Sequence, residues 1–168
     1  FDYEKAKWFN HEWIKKLNAE RLRIKVKELL TAAHIIISDD ALLDKVIELV
    51  KDRCTLLPDF VQHAGFFFRT PETLDADAVK PKWNESKQLF FAELIRNYEL
   101  CPDWDVHTLE NNFKEIAAVN EIKPGELMLP FRIMLVGGKF GPGVFDIAAL
   151  IGKSATLERI IKAIKQFS

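Results

Sequence analysis

Apolar residues recur along this chain every three or four positions, in runs a few turns long separated by prolines, glycines and short polar clusters. The pattern predicts helices almost throughout. Asp2 caps a short helix carrying Tyr3, Ala6 and Trp8, and Asn10 starts a further turn with Trp13, Ile14 and Leu17. Trp8, Phe9 and Trp13 are expected to anchor the core. Asn18 caps a helix over about 19–33, with Leu22, Val26, Leu29 and Leu30 on one face and Arg21, Arg23, Lys25 and Lys27 on another. Ser38, Asp39 and Asp40 open the next helix, where Leu42, Leu43, Val46, Ile47 and Val50 repeat at helical spacing and Lys51 and Arg53 suit its end. Pro58 begins a short helix broken at Gly65. Phe66, Phe67 and Phe68 then leave the helix and wedge between elements. The β-branched run Ile35-Ile36-Ile37 reads as a buried helix end or connector.

The segment from Arg69 to Pro81 has few large apolar residues and two bounding prolines, so it marks a boundary. Residues 1–74 and 75–168 are the two expected helical subdomains. The second has a helix over about 84–99, another from Asp105 or Thr108, and a turn at Asn120 to Lys123. A helix from Pro124 carries Leu127, Phe131, Met134 and Leu135 and stops at Gly137-Gly138. The next is expected to start at Pro142, burying Val144, Phe145, Ala148 and Ile151, and to end at Gly152. Ser154 caps the last, which carries Leu157, Ile160, Ile161 and Ile164. The fold class is all-α: about eight to eleven helices in an irregular cage or superhelix of two packed subdomains.

Composition narrows the partners. The chain has 168 residues, 48% of them hydrophobic, with a formal net charge of −1. Domains built for nucleic acid are usually basic, so any RNA site here has to be a local patch. No apolar run approaches the roughly 18 residues of a membrane span, and no signal peptide opens the chain. Cys54 and Cys101 lie far apart and read as buried thiols. The four histidines share no metal-ligand spacing, and Cys54 with His63 lacks an orienting third group. Asp39-Asp40 is explained by capping. Gly137 to Gly143, GGKFGPG, lacks the phosphate-loop spacing and a preceding strand, and reads as an interhelical turn. That turn still reads as a surface open to RNA: its glycines allow close approach, and a helix starting at Pro142 would point amide donors outward. A splayed base can then lie on Pro142 and Val144 while a guanidinium reads its edge.

Two stretches carry a family resemblance. LPFRIMLVGG followed by GPGVFDIAALIGK and LERI resembles the C-terminal end of bacterial glutamyl-tRNA synthetases. There, P-L-R-x-A-L-T-G and G-P-x-L-F-x-I-L-x-L-L-G-K helices form the anticodon-binding tip. The opening FDYEKAKWFNHEWI is similar to the family's F-D-x-x-K-L-x-W-L-N-x-x-Y-I segment, which lies just beyond its catalytic signature-lysine loop. The chain begins inside that motif without a Met and is expected to be a piece of a longer protein. Two departures stand out: Val136 replaces the usual Thr, and Gly143-Val144 replaces a Pro-x-Leu arrangement.

The resemblance implies anticodon contacts at Arg132, at Gly141, Pro142 and Val144, and at Arg53; Lys139 and Lys153 read as diffuse phosphate contacts rather than base readers. Arg132 in a surface salt bridge with Asp146 or Glu126, and Arg53 pairing with a helix C-terminus, remain the competing structural readings. The implied partner is tRNA(Glu), bound by a cytoplasmic monomer. ATP and magnesium would be handled by a catalytic domain absent from this chain, which has neither a HIGH-like nor a KMSKS-like motif. No cofactor is expected in the chain itself, and it is expected to be catalytically silent alone. The alternative is a helical module whose groove takes a partner protein's helix.

Overall fold

Carboxylate and amide side chains close the first turn of helix after helix in the computed structural model, which describes residues 2–168 apart from the side chain of Phe9. The chain divides into two units between Arg69 and Thr70. All regular structure among the described residues is helical: nine α-helices and three short 3₁₀ turns, with no strand.

The first unit holds α1 (Tyr3–Lys16), α2 (Ala19–Ala32), α3 (Asp40–Val50), a 3₁₀ turn (Lys51–Arg53) and α4 (Asp59–Gly65). Asp2, Asn18 and Asp39 accept the N–H groups of Lys5, Arg21 and Leu42 at 3.1, 2.8 and 3.0 Å, satisfying donors that a helix start leaves open. Leu22, Val26 and Leu30 of α2 and Leu43, Val46, Ile47 and Val50 of α3 are buried, as is Phe60 of α4. His34, at φ 63°, ends α2. Beyond it the isoleucines run as an extended connector, so that Ile35 and Ile37 turn inward and Ile36 stays 85% exposed. Gly65 makes room there, because a Cβ would lie 2.9 Å from Cδ1 of Ile35. Phe66 and Phe67 are buried and stacked, with centroids 4.5 Å apart.

α1 differs from expectation. It is one continuous helix through Asn10, and Trp8 and Trp13 are 58% and 46% exposed rather than core anchors. Its inward stripe is Ile14, with half-buried His11 and Leu17 one turn to either side. Trp13 precedes Ile14 by one position, about 100° around the helix, and so points away from that stripe. The ammonium of Lys25 stands over its ring, 5.9 Å from the centroid. The expectation for Phe9 lies outside the described residues.

The second unit begins with 3₁₀ turns at Ala76–Ala78 and Lys80–Lys82. It continues through α5 (Glu85–Leu100), α6 (Val106–Val119), α7 (Pro124–Val136), α8 (Val144–Ile151) and α9 (Lys153–Phe167). Asn84 and Asp105 cap α5 and α6. One aromatic ring from each of α5 to α8 meets in the core. Phe113 lies 5.0 Å from Phe90 and 5.3 Å from both Phe131 and Phe145, centroid to centroid, in the stacked and edge-on arrangements that ring quadrupoles favour. The Tyr98 hydroxyl donates to the carbonyl of Leu109 at 2.9 Å within this core. Two helix starts differ from the pattern reading. α8 begins at Val144, two residues after Pro142. α9 begins at Lys153 directly after Gly152, so Ser154 lies in its first turn rather than before it.

Candidate nucleic-acid interface

α7 is apolar almost all round, and Arg132 is the one charged residue in its second half. Its neighbour Phe131 is buried in the aromatic core, which turns Arg132 toward the loop that follows the helix. That loop is rooted at Gly137, whose φ of 91° closes α7 and whose N–H donates to the carbonyl of Ile133 at 2.8 Å. A side chain is excluded there, since a Cβ would sit 2.7 Å from the carbonyl oxygen of Thr73. The carbonyl of Gly137 in turn accepts the N–H of Asp75 at 2.9 Å.

Nη1 of half-buried Arg132 donates to three successive backbone carbonyls, those of Phe140 (3.0 Å), Gly141 (3.1 Å) and Pro142 (2.7 Å). One cationic nitrogen thereby gathers three carbonyl dipoles and draws the backbone into a tight bend, in which Gly141 takes φ 102°. From the other side, Arg159 of α9, only 3% exposed, donates from Nη1 to the carbonyl of Leu135 at 2.7 Å. Burial lowers its pKa to about 10, which leaves it charged at neutral pH. Two arginines thus fasten the end of α7 and the loop beyond it.

The loop exposes Lys139 and Gly143 and leaves Gly138, Phe140 and Gly141 half-exposed. The Phe140 ring lies over Gly138, where a Cβ would come within 2.8 Å of it. Pro142 and Val144 are buried, so the platform expected from their side chains is turned into the protein. The start of α8 is also answered from within. A Cβ on Gly143 would be 2.7 Å from Oδ2 of Asp146, which places that carboxylate at the positive end of the helix.

Lys153 is likewise occupied. Its ammonium donates to the carbonyls of Cys101 (2.6 Å) and Glu99 (3.3 Å) at the end of α5 and lies 5.7 Å over the Trp104 ring, a capping position rather than a phosphate-facing one. Lys139 is exposed with no hydrogen bond or ion pair among the described residues. Arg53, in the other unit, closes the 3₁₀ turn after α3; it too is exposed with no hydrogen bond or ion pair among the described residues. Its charge reaches His63. Burial foremost holds the His63 imidazole below its usual pKa; the Asp59 carboxylate opposes this and Arg53 adds to it.

Hydrolytic chemistry finds no footing at Cys54. The residue is fully buried, its Sγ lies 3.6 Å from the carbonyl of Val50, and burial pushes the thiol pKa up to about 12. No group of three metal-ligating side chains occurs among the described residues. No helix among them is long and apolar enough to cross a membrane.

Residues 3–164 match the model of the anticodon binding domain family. The chain belongs to that family. Over 164 residues it is 36% identical to a glutamate–tRNA ligase of Flavobacterium johnsoniae, spanning 98% of this chain and 32% of that protein. A glutamate–tRNA ligase of Porphyromonas gingivalis is 32% identical over 165 residues, with the same two shares. The chain thus spans about a third of the length of the curated relatives it matches. Among solved structures, a glutamate tRNA ligase from Elizabethkingia meningosepticum in complex with its amino acid superposes with a TM-score of 0.88 at 32% identity, over 100% of this chain and 33% of that one. A glutamate–tRNA synthetase from Elizabethkingia anophelis gives 0.82 at 32% identity, over 98% of this chain.

Two members of the site escape a sequence reading. Arg159 lies on the inward stripe Thr156-Arg159-Ile160-Ala163-Phe167. That spacing was a signal that its guanidinium faces the core. Phe140 is marked in the sequence only as the one aromatic residue in a glycine-rich loop.

Proposed function

We propose that this chain recognises the anticodon loop of tRNA(Glu) on behalf of a glutamate–tRNA ligase. Charging of the tRNA with glutamate, together with the ATP and magnesium it uses, belongs to parts of such a ligase outside these residues. The protein works as a monomer in the cytoplasm, where its tRNA is. The observation that carries the reading is the Arg132 clamp: three carbonyls on one guanidinium hold a glycine-rich loop in a fixed bend that exposes Lys139 and leaves Phe140 half-exposed.

Arg132 has two tasks in this scheme. It preorganises the loop before RNA arrives, which removes an ordering cost from binding. It also brings a cationic side chain to the loop that a splayed base would approach, Gly141 supplying close backbone approach. Pro142 and Val144 act from beneath, as the buried footing on which the bend rests. Lys139 supplies charge near the RNA backbone. Arg53 is a second, separately placed guanidinium for an anticodon base or phosphate. A handful of such contacts gives specificity without a basic protein, in keeping with the net charge of −1.

The test is a titration of the chain with tRNA(Glu) and with the same tRNA carrying a substituted anticodon, repeated across salt concentrations. The expected result is tighter binding of the matching tRNA, with log affinity falling linearly against log salt. Equal affinity for both tRNAs, or no RNA binding together with capture of a partner protein's helix, overturns the proposal.

A further inference from the structure

Away from the 137–143 loop, at the opposite end of α7, lies a cleft of about 280 Å³ between the 3₁₀ turns and the helices α5 and α7. Val79 and Pro130 give it an apolar floor, and Lys82, Lys87, Gly125 and Glu126 complete the polar side of its lining. Lys87 is only 7% exposed, an unusual place for an ammonium. Its Nζ donates to the backbone carbonyl of Lys82 at 2.7 Å, and it has no carboxylate partner and no other acceptor among the described residues. An ammonium has three N–H donors, so two of them are left without an acceptor among the described residues. Lys82, five positions earlier, is exposed and has no side-chain partner among the described residues.

The third element is the start of α7. Lys123 sits at the cap position without a side-chain hydrogen bond, and Pro124 has no N–H. The first-turn amide of Gly125 therefore lies at a helix end that carries partial positive charge and no side-chain cap, with Glu126 the acidic residue of that turn. Nothing lies within 4 Å of where a Cβ of Gly125 would be, so the approach is open.

We infer that this cleft is a binding site for a tetrahedral oxyanion, a phosphate group held by Lys82, Lys87 and the Gly125 amide. Glu126 is the competing anion at its edge. The source of the phosphate is either the backbone of a bound RNA or a free phosphate or phosphate monoester, and the chemistry of the site is the same for both.

The experiment is amide NMR of the 168-residue chain titrated with inorganic phosphate, against chloride at matched ionic strength. The Gly125 amide should shift saturably with phosphate and not with chloride. Lys82→Ala should weaken that binding about two- to five-fold, Glu126→Gln should tighten it by a similar factor, and Lys87→Met should abolish it. Lys82 and Glu126 are exposed, so the test does not depend on the buried variant folding. Absence of a saturable Gly125 shift, or shifts that Lys82→Ala and Glu126→Gln leave unchanged, overturns the inference. A second arm assigns the source. If RNA supplies the phosphate, Lys82→Ala lowers the log–log salt slope for tRNA(Glu) by about 0.7–0.9. An unchanged slope with phosphate binding lost assigns the site to the free anion. The phosphate arm contains no RNA, so its result stands whether or not the anticodon reading holds.

Discussion

The guanidinium of Arg132 donates to the carbonyl of Pro142 at 2.7 Å, the shortest of the three bonds by which it holds the loop beyond α7. Arginine at this position works on the protein's own backbone before it can work on a base. Replacing it by alanine is therefore expected to do two measurable things. The melting temperature falls, because three loop carbonyls lose a charged donor. Binding of tRNA(Glu) weakens by about 1–3 kcal/mol, and by less for a tRNA with a substituted anticodon. Equal losses on both tRNAs would reduce Arg132 to a holder of the loop with no reading role.

Gly137→Ala should be among the most damaging single changes in the second unit. The left-handed backbone alone costs an ordinary residue roughly 1–2 kcal/mol. The added Cβ, 2.7 Å from the Thr73 carbonyl oxygen, forces a shift in backbone that cannot rotate away. Urea unfolding of the variant should show a loss larger than the backbone figure, and a midpoint matching the parent chain would contradict the geometry.

His63 predicts a pH dependence. Its folded pKa lies below the ordinary value of 6.5, chiefly through burial. The unfolded chain therefore binds the proton first as pH falls. The stability His63 confers is complete above 6.5 and is lost as pH drops from there through the lowered folded value. Asp40 and Asp105, the carboxylates with lowered pKa, act below their ordinary 3.8 and leave this window clear. Urea midpoints at pH 7.5 and 5.5 should differ in the parent and converge in His63→Asn. A midpoint that rises on acidification would reverse the sign and refute the assignment.

Cys54 should resist thiol reagents in the native chain. With its pKa near 12 the thiolate at pH 8 is scarcer than the thiol by about four orders of magnitude, and burial blocks access as well. Mass spectrometry after a timed iodoacetamide exposure should find Cys54 labelled only in denaturant. Rapid labelling under native conditions would show that the site opens.

Much of the fold was legible because its signals are local. Asp2, Asn18, Asp39 and Asp105 cap the helices they precede, since a cap needs only a side chain and an amide three residues on. Pro124 and Gly137 bound α7 for equally local reasons. Trp8 and Trp13 depart from the core role their size suggests because large apolar character says nothing about which side of a helix meets the core; Ile14 decides that, through packing. The preference of proline for a first turn predicts a helix start at Pro142, yet Arg132 holds its carbonyl in the loop and the helix waits until Val144. At the site, the sequence pointed to the arginine and the glycines. That Arg132 would face three carbonyls, and that Lys153 would cap α5, depends on the closed shape of the loop and on contacts between distant helices.

The seating of Gly137 against Thr73 and Asp75 has a practical corollary for anyone transplanting this loop. Residues 137–143 are not a portable cassette: their root is seated on a strip of backbone far earlier in the chain, joined through one shared carbonyl and one missing side chain. A recipient helical scaffold would have to import both strips together, because the donor loop lifted alone leaves its mooring behind.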